Sequence, residues 1–264
     1  MDAPPRPNTP NREQILFETI EHLTKAACVA LFSLRERLEP LRDIVETFVA
    51  GCLCHTWVHL LVIDDSQHKL FELWSTNQQN GVWTAGQETV WDLMHHYDST
   101  GRGLGCTSAD AAGLSVTAGL IGVRETMGPN EIKHAIRFIL PNSKIRSGPS
   151  FVLPATHGTK STSSSEGPPY GTRLRLKASF DETQFASAAG RKIVRALKTY
   201  GMFLADGGSV ALTAENDRFE KQADPKMTWD GALDATSIAK IQPSDFDVVE
   251  FSTIHNNDDC SISP

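Results

Sequence analysis

Residues 57–74 read Trp57-Val-His-Leu-Leu-Val-Ile-Asp64, Asp65-Ser-Gln-His68 and Lys69-Leu-Phe-Glu-Leu-Trp74. Two apolar, β-branched runs around four polar residues predict a β-hairpin. The hairpin also marks a change of period. Upstream, apolar residues from Leu16 through Ile20, Leu23, Ala27, Leu31 and Leu34 to Phe48 recur in steps of three and four, one helical stripe. Asn11 with Gln14 resembles a capping box, and Pro40 splits the stripe into two helices. Residues 11–50 are therefore read as a helical N-terminal segment that packs on its own domain. The alternative is a homodimer seam over residues 12–48. The Pro-rich residues 1–10 are expected to be disordered.

Downstream, short strands follow in close order. Thr89–Leu93 is one. Residues 98–122 are rich in glycine and small residues and read as a long irregular stretch. Glu131–Leu140 alternates, with Ile132, His134, Ile136, Phe138 and Leu140 on one face and Lys133 and Arg137 on the other. Phe151–His157 is a short strand before a Gly/Ser/Pro loop. Thr172–Phe180 alternates strictly. A helix is expected over 183–200, closed by Gly201. A second hairpin, Met202–Asp206 and Ser209–Thr213, turns at Gly207-Gly208. Asp245–Phe251 is the last strand, and the tail over 253–264 is expected to be loose. The pattern predicts a mainly β domain over 57–252, sandwich or jelly-roll-like, with one late helix; an α+β sheet is the alternative.

The chain has 264 residues and a formal net charge of -7, which argues against a nucleic-acid binder. No apolar run reaches the roughly 20 residues of a membrane-spanning helix. The start has no basic, then apolar pattern of a signal peptide, so the chain as written reads as cytoplasmic. Cys28, Cys52, Cys54, Cys106 and Cys260 are odd in number and irregularly spaced, and suggest buried thiols rather than a disulfide framework. Cys52-x-Cys54-His55 with His59 lacks zinc-knuckle spacing, and no metal or cofactor is expected. The Gly-x-Gly-x-x-Gly, Walker, Gly-x-Ser-x-Gly and His-Glu-x-x-His signatures are absent, which disfavours nucleotide-dependent enzymes, elbow-type serine hydrolases and zincins.

Four features carry chemistry. Arg173, Arg175 and Lys177 share one strand face, either as a groove for an anionic ligand or as a solvated face with acidic neighbours. His134, on the apolar side of its strand, is a core histidine or a proton carrier. His157 ends Pro154-Ala-Thr-His157 at a loop rim, and Tyr170 closes that loop, placed to stack on a sugar or act as an acid. Asp110 and Asp206 lie among small residues, where two carboxylates could share acid/base work; for Asp206, ordinary turn chemistry is the competing reading. Trp83, with Trp74 and Trp91, could line a sugar platform, with core packing as the alternative.

Five ordered strings, Thr107-Ser-Ala-Asp-Ala-Ala-Gly-Leu114, His134-Ala-Ile-Arg-Phe138, Pro154-Ala-Thr-His157, Arg173-Leu-Arg-Leu-Lys-Ala-Ser-Phe-Asp181 and Tyr200-Gly-Met-Phe-Leu-Ala-Asp206, resemble a largely uncharacterised family of bacterial and fungal proteins. The resemblance covers roughly residues 57–252. Its members are usually secreted and β-rich and often sit beside carbohydrate-active modules. Their signal peptide and extra β-rich front are replaced here by the helical segment.

The resemblance implies secretion, against the missing signal peptide. With the residues above, the expected function is a carbohydrate-active lyase or hydrolase on a polysaccharide, with Arg173, Arg175, Lys177 and Trp83 as binding residues; the three cations would suit an acidic sugar. His134, His157, Asp110, Asp206 and Tyr170 are the catalytic candidates. A non-catalytic module for glycans or other anionic ligands and an intracellular accessory protein of a biosynthetic pathway are the alternatives.

Overall fold

The computed structural model describes residues 29–34, 59–79, 82–208, 211–232, 240–251, 253–256 and 260. The hairpin forms as read. β1 (Val29–Leu34) lies parallel to β2 (His59–Asp64), which pairs antiparallel with β3 (Lys69–Trp74). After the small β4 (Asn77–Gln79) and β5 (Val82–Thr84) ribbon, β6 (Gln87–Asp92) completes a 4-stranded sheet in the order β1-β2-β3-β6. Register rows Leu61↔Glu72↔Thr89 and Ile63↔Leu70↔Trp91 share its inner face. The strand β1 lies inside the expected helical segment. In a six-residue window Leu31 and Leu34 fit either period, and the edge of β2 supplies a hydrogen-bonding partner along its whole length. The rest of 11–50, the dimer seam and residues 1–10 lie outside the described residues.

The irregular stretch carries two short helices, α1 (Val116–Gly119) and α2 (Val123–Met127). Glu72, fully buried on β3, answers the N-terminus of α1. It accepts from Ser115 Oγ at 2.8 Å and from the Val116 and Thr117 N–H groups at 3.1 and 2.8 Å. Trp91 Nε1 completes the shell at 2.9 Å. Four donors let the carboxylate stay in the interior, and they tie the first sheet to this segment.

β7 (Ile136–Leu140), β8 (Ser150–Phe151), β9 (Arg173–Leu176) and α3 (Ala188–Thr199) follow. Next come β10 (Met202–Gly207), β11 (Ala211–Leu212), α4 (Arg218–Ala223), β12 (Phe246–Val248) and β13 (His255–Asn256). The second sheet has the order β11-β7-β10-β9-β12. Ser187 caps α3 through the Gly190 N–H, and Ile193, Val194 and Leu197 enter the main core with Ile136, Phe138, Leu176 and Leu204. The fold is thus strand-rich, with one long helix packed by the second sheet. Among the described residues no helix is long and apolar enough to cross a membrane.

Three expectations are corrected. β10 and β11 do not pair with each other, because β7 lies between them, parallel to β10 and antiparallel to β11. Local turn chemistry at Gly207-Gly208 cannot report a third strand inserted from 60 residues upstream. The tail is tied down: β13 pairs with β8, and Cys260 is bonded to Cys106. A disulfide spanning a sequence separation of 154 has no local spacing to read. Cys28, Cys52 and Cys54 lie outside the described residues. The Cys260→Ser variant is expected to lose about 2–4 kcal/mol of stability, because the cross-link restricts the unfolded chain. Thermal melts of variant and parent check this; equal Tm values would mean that the tail adds no stability.

Candidate active site

A guanidinium in a protein interior is stable only when oxygens surround it. Arg137 is 5% exposed. Its Nε and Nη2 donate to Asp110 Oδ2 at 3.1 and 2.9 Å, and Nη1 donates to Thr213 Oγ1 at 3.1 Å. Asp206 Oδ2 stands 4.0 Å from the same Nη2. One cation therefore faces two carboxylates. They differ in access: the Asp110 side chain is 0% exposed and that of Asp206 is 24% exposed.

The Asp110 loop is fixed by its own small residues. Asp110 Oδ1 accepts the Ala112 N–H at 3.1 Å, and Ser108 Oγ donates to the Leu114 carbonyl at 2.6 Å. Gly113 has a φ of +74°, and a Cβ there would meet Thr156 Oγ1 at 2.2 Å. Only glycine allows that approach. Backbone bonds then join three segments. The Ala112 N–H donates to the Ala205 carbonyl at 2.9 Å, and the Ala112 carbonyl accepts from Thr156 and His157 at 2.9 and 3.2 Å.

Asp206 reaches Arg137 because β10 carries a bulge. Phe203 pairs with Arg137 and Leu204 with Phe138, but the next register pair is Asp206 with Ile139. Ala205 is the extra residue. Residues 137 and 139 lie on one face of β7, so the bulge moves Asp206 onto the face of Arg137. In regular alternation Asp206 would share the face of Leu204, which is core.

His157 Nδ1 donates to the Ala111 carbonyl at 2.9 Å. The neutral ring is thus the Nδ1–H tautomer. Tyr170 Oη lies 3.3 Å from Thr159 Oγ1. Burial raises the Tyr170 phenol above its usual range, and the charges of Asp206 and Asp110 raise it further. It is a hydrogen-bond donor at neutral pH rather than an acid, and its ring, 1% exposed, has no face left for a sugar. Burial pushes the Asp110 carboxyl up to about 7 against the pull of Arg137, and the Asp206 charge adds to the rise. With one cation for two carboxylates, the pair is poised to hold a proton near neutrality.

Asp110 and Asp206 thus share Arg137, Tyr170 lies near enough to feel both carboxylates, and His157 is tied to the Ala111–Ala112 end of the Asp110 loop. His134 belongs to another cluster. It precedes β7 rather than lying within it, and its Nε2 is 3.0 Å from Glu125 Oε1 on α2. Lys192 of α3 donates to the Thr126 carbonyl beside it at 3.0 Å.

The cationic row starts on the face of Arg137 but runs away from Asp206. β9 is antiparallel to β10, so Arg173 sits beside Phe203, and Arg175 and Lys177 lie toward the start of β10. Tyr170, at the opposite end, comes close to Asp206. Arg173 Nε donates to the Tyr200 carbonyl at 2.8 Å at the end of α3, Arg175 faces Asp247 across β12, and Lys177 Nζ donates to the Ser244 carbonyl at 2.7 Å. Arg173 and Lys177 thus spend donors on nearby main-chain carbonyls, while Arg175 is exposed. Trp91 is buried and Trp74 packs on the core of the first sheet, while the Trp83 side chain lies outside the described residues.

The residue missed in the sequence is Arg137, read only as the polar side of its strand. The available signal was an arginine between two core residues, Ile136 and Phe138, in a strand buried on both faces. His59, from the Cys52–His59 group, is half-buried on the inner face of the first sheet, with its Nδ1 covered. Burial, with the Arg137 charge, pushes it down to about 3, so it stays neutral.

Arg137→Met is expected to destabilise the protein by about 3–5 kcal/mol, since it leaves a buried carboxylate without its partner. The Arg137→Met/Asp110→Leu double variant is expected to lose less than the sum of the two single variants in denaturant titrations. The second cluster predicts a pH effect. The Glu125 hydrogen bond raises His134, while burial of Glu125 is outweighed by its bonds to His134 and the Gly122 N–H, which lower it. The pair's stabilisation is thus fullest between the unfolded values of the two groups. It fades as pH rises through the raised His134 value and as it falls through the lowered Glu125 value. His134→Gln should flatten the Tm-versus-pH curve at both ends; an unaltered curve would show that the pair contributes nothing.

No protein-family model, curated protein or solved structure matches the chain.

Proposed function

We propose that the chain is a carbohydrate-active hydrolase with Asp206 as its proton donor. The observation that carries the reading is the asymmetry of the pair at Arg137: Asp206 is open to solvent, whereas Asp110 is fully covered. Asp110 and Arg137 are positioning groups. Burial raises the carboxyl of Asp110, so the pair as a unit carries a proton toward neutral pH, and Asp206 is its solvent-facing member. The sugar class rests on the resemblance of the five motifs.

In the proposed step, Asp206 gives its proton to the glycosidic oxygen as the carbon–oxygen bond breaks. His157 Nε2 takes a proton from the water whose oxygen bonds to the anomeric carbon. The products are two sugar hydroxyls, and the proton on His157 returns to Asp206 through solvent. A lyase needs a cation at the substrate carboxylate. Arg173 and Lys177 donate to main-chain carbonyls, and the exposed Arg175 lies toward the start of β10, away from Asp206, which favours hydrolysis over β-elimination. The Cys106–Cys260 bond supports work outside the reducing cytosol, in keeping with the secreted character of the family it resembles.

The test is incubation with neutral and acidic polysaccharides, following reducing ends and the ultraviolet absorbance of unsaturated uronates. New reducing ends without absorbance are expected, and Asp206→Asn should lower the rate by roughly 10²–10⁴-fold. Absorbance would make the protein a lyase. Silence across the panel, with binding to one of its members, would make it a binding module.

A further inference from the structure

Beside Asp206 lies a row of polar side chains that the proposed chemistry does not use. Gly207 follows Asp206 on β10, and Asn142 lies directly over it: a Cβ on Gly207 would fall 1.9 Å from Asn142 Oδ1 and 3.5 Å from Tyr170 Oη. Asn142 Nδ2 is 3.4 Å from Ser161 Oγ, Ser161 Oγ is 2.9 Å from Thr159 Oγ1, and Thr159 Oγ1 is 3.3 Å from Tyr170 Oη. The chain of contacts thus starts beside Asp206 and returns to it through Tyr170.

Asn142, Thr159 and Ser161 are each half-buried, as are Asp206 and Gly207, whereas Tyr170 beneath them is covered. The row is therefore a partly open, polar margin on a rigid floor. Its chemistry is mixed: hydroxyls that donate or accept, an amide that does both, and no formal charge among the three. A neutral ligand with several adjacent hydroxyls matches it, since each ligand hydroxyl also donates and accepts. The three groups themselves offer an anion no positive charge, and Asp206 would repel a carboxylate or phosphate.

We propose that Asn142, Thr159 and Ser161 form the hydroxyl-recognition edge for one neutral sugar ring, the ring held against Asp206. The proposal rests on the hydrolase reading for the identity of the ligand, yet it predicts binding that does not depend on turnover. The absence of a side chain at Gly207 lets Asn142 and the ring approach Asp206 together. The longest contact in the row, 3.4 Å, leaves Asn142 and Ser161 able to exchange it for a ligand hydroxyl.

The probes are the methyl glycosides of glucose, galactose, mannose and xylose, with glucuronic acid as the charged control. Binding is followed by nuclear magnetic resonance on the full chain and on Asp206→Asn, in which turnover is expected to be slowed roughly 10²–10⁴-fold. At least one neutral glycoside should bind both proteins, and glucuronic acid should bind more weakly. Asn142→Ala, Thr159→Val and Ser161→Ala should each weaken that binding by about 3- to 10-fold, the loss of one neutral hydrogen bond. Their Tm values should stay near that of the parent, which separates recognition from folding.

That pattern supports the edge whether or not any polysaccharide is cleaved, so failure of the hydrolase reading would show separately. Cleavage with KM and glycoside binding unmoved by all three variants would overturn the edge and leave the hydrolase standing. No glycoside binding to the parent at millimolar concentration, or stronger binding of glucuronic acid, would also overturn it.

Discussion

The buried contact of Arg137 with Asp110 is the constraint from which the site follows. A guanidinium with almost no water must be surrounded by acceptors, and each acceptor comes from a different part of the chain: Asp110 from the irregular stretch, Thr213 from beyond β11, Asp206 from β10. Satisfying one side chain fixes the relative placement of segments about a hundred residues apart. The same charge also acts on His59 of the first sheet, which burial already keeps neutral. Both sheets are arranged with respect to this one cation.

The protein uses a different solution for its other interior acids. Glu72 is held by neutral donors, and its bonds end on the backbone of a helix start. Glu215 accepts the Val123 N–H at 2.9 Å; burial pushes it up to about 7, opposed by that hydrogen bond and raised again by the Glu220 charge. These groups organise the short helices between the sheets. Around Arg137 two carboxylates face one cation and one of them reaches solvent, which sets this cluster apart from the backbone-bound Glu72.

The sequence was legible where structure is local. The first hairpin, the late helix and the alternation of β7 follow from period and turn chemistry, although α3 starts at Ala188 rather than at the expected Thr183 because Ser187, not Thr183, caps it. Small residues around Asp110 and the end of the Pro154–His157 string pointed to two segments that the backbone does join, since close backbone approach needs small side chains. What stayed hidden is long-range. Nothing near Gly207-Gly208 reveals that β7 inserts between β10 and β11, nothing near Cys260 reveals Cys106, and alternation cannot tell a polar face in water from one that carries a buried ion pair.

The bulge at Ala205 gives the strand a change of parity. Up to Leu204 the pleat obeys the core; beyond it the pleat obeys the site. A strand one residue shorter, without Ala205, would still set its aspartate opposite Ile139, on the face of Arg137. The bulge therefore only restores a facing that the inserted residue would otherwise have cost. What the insertion adds is its carbonyl, which accepts the Ala112 N–H and latches the Asp110 loop to the strand.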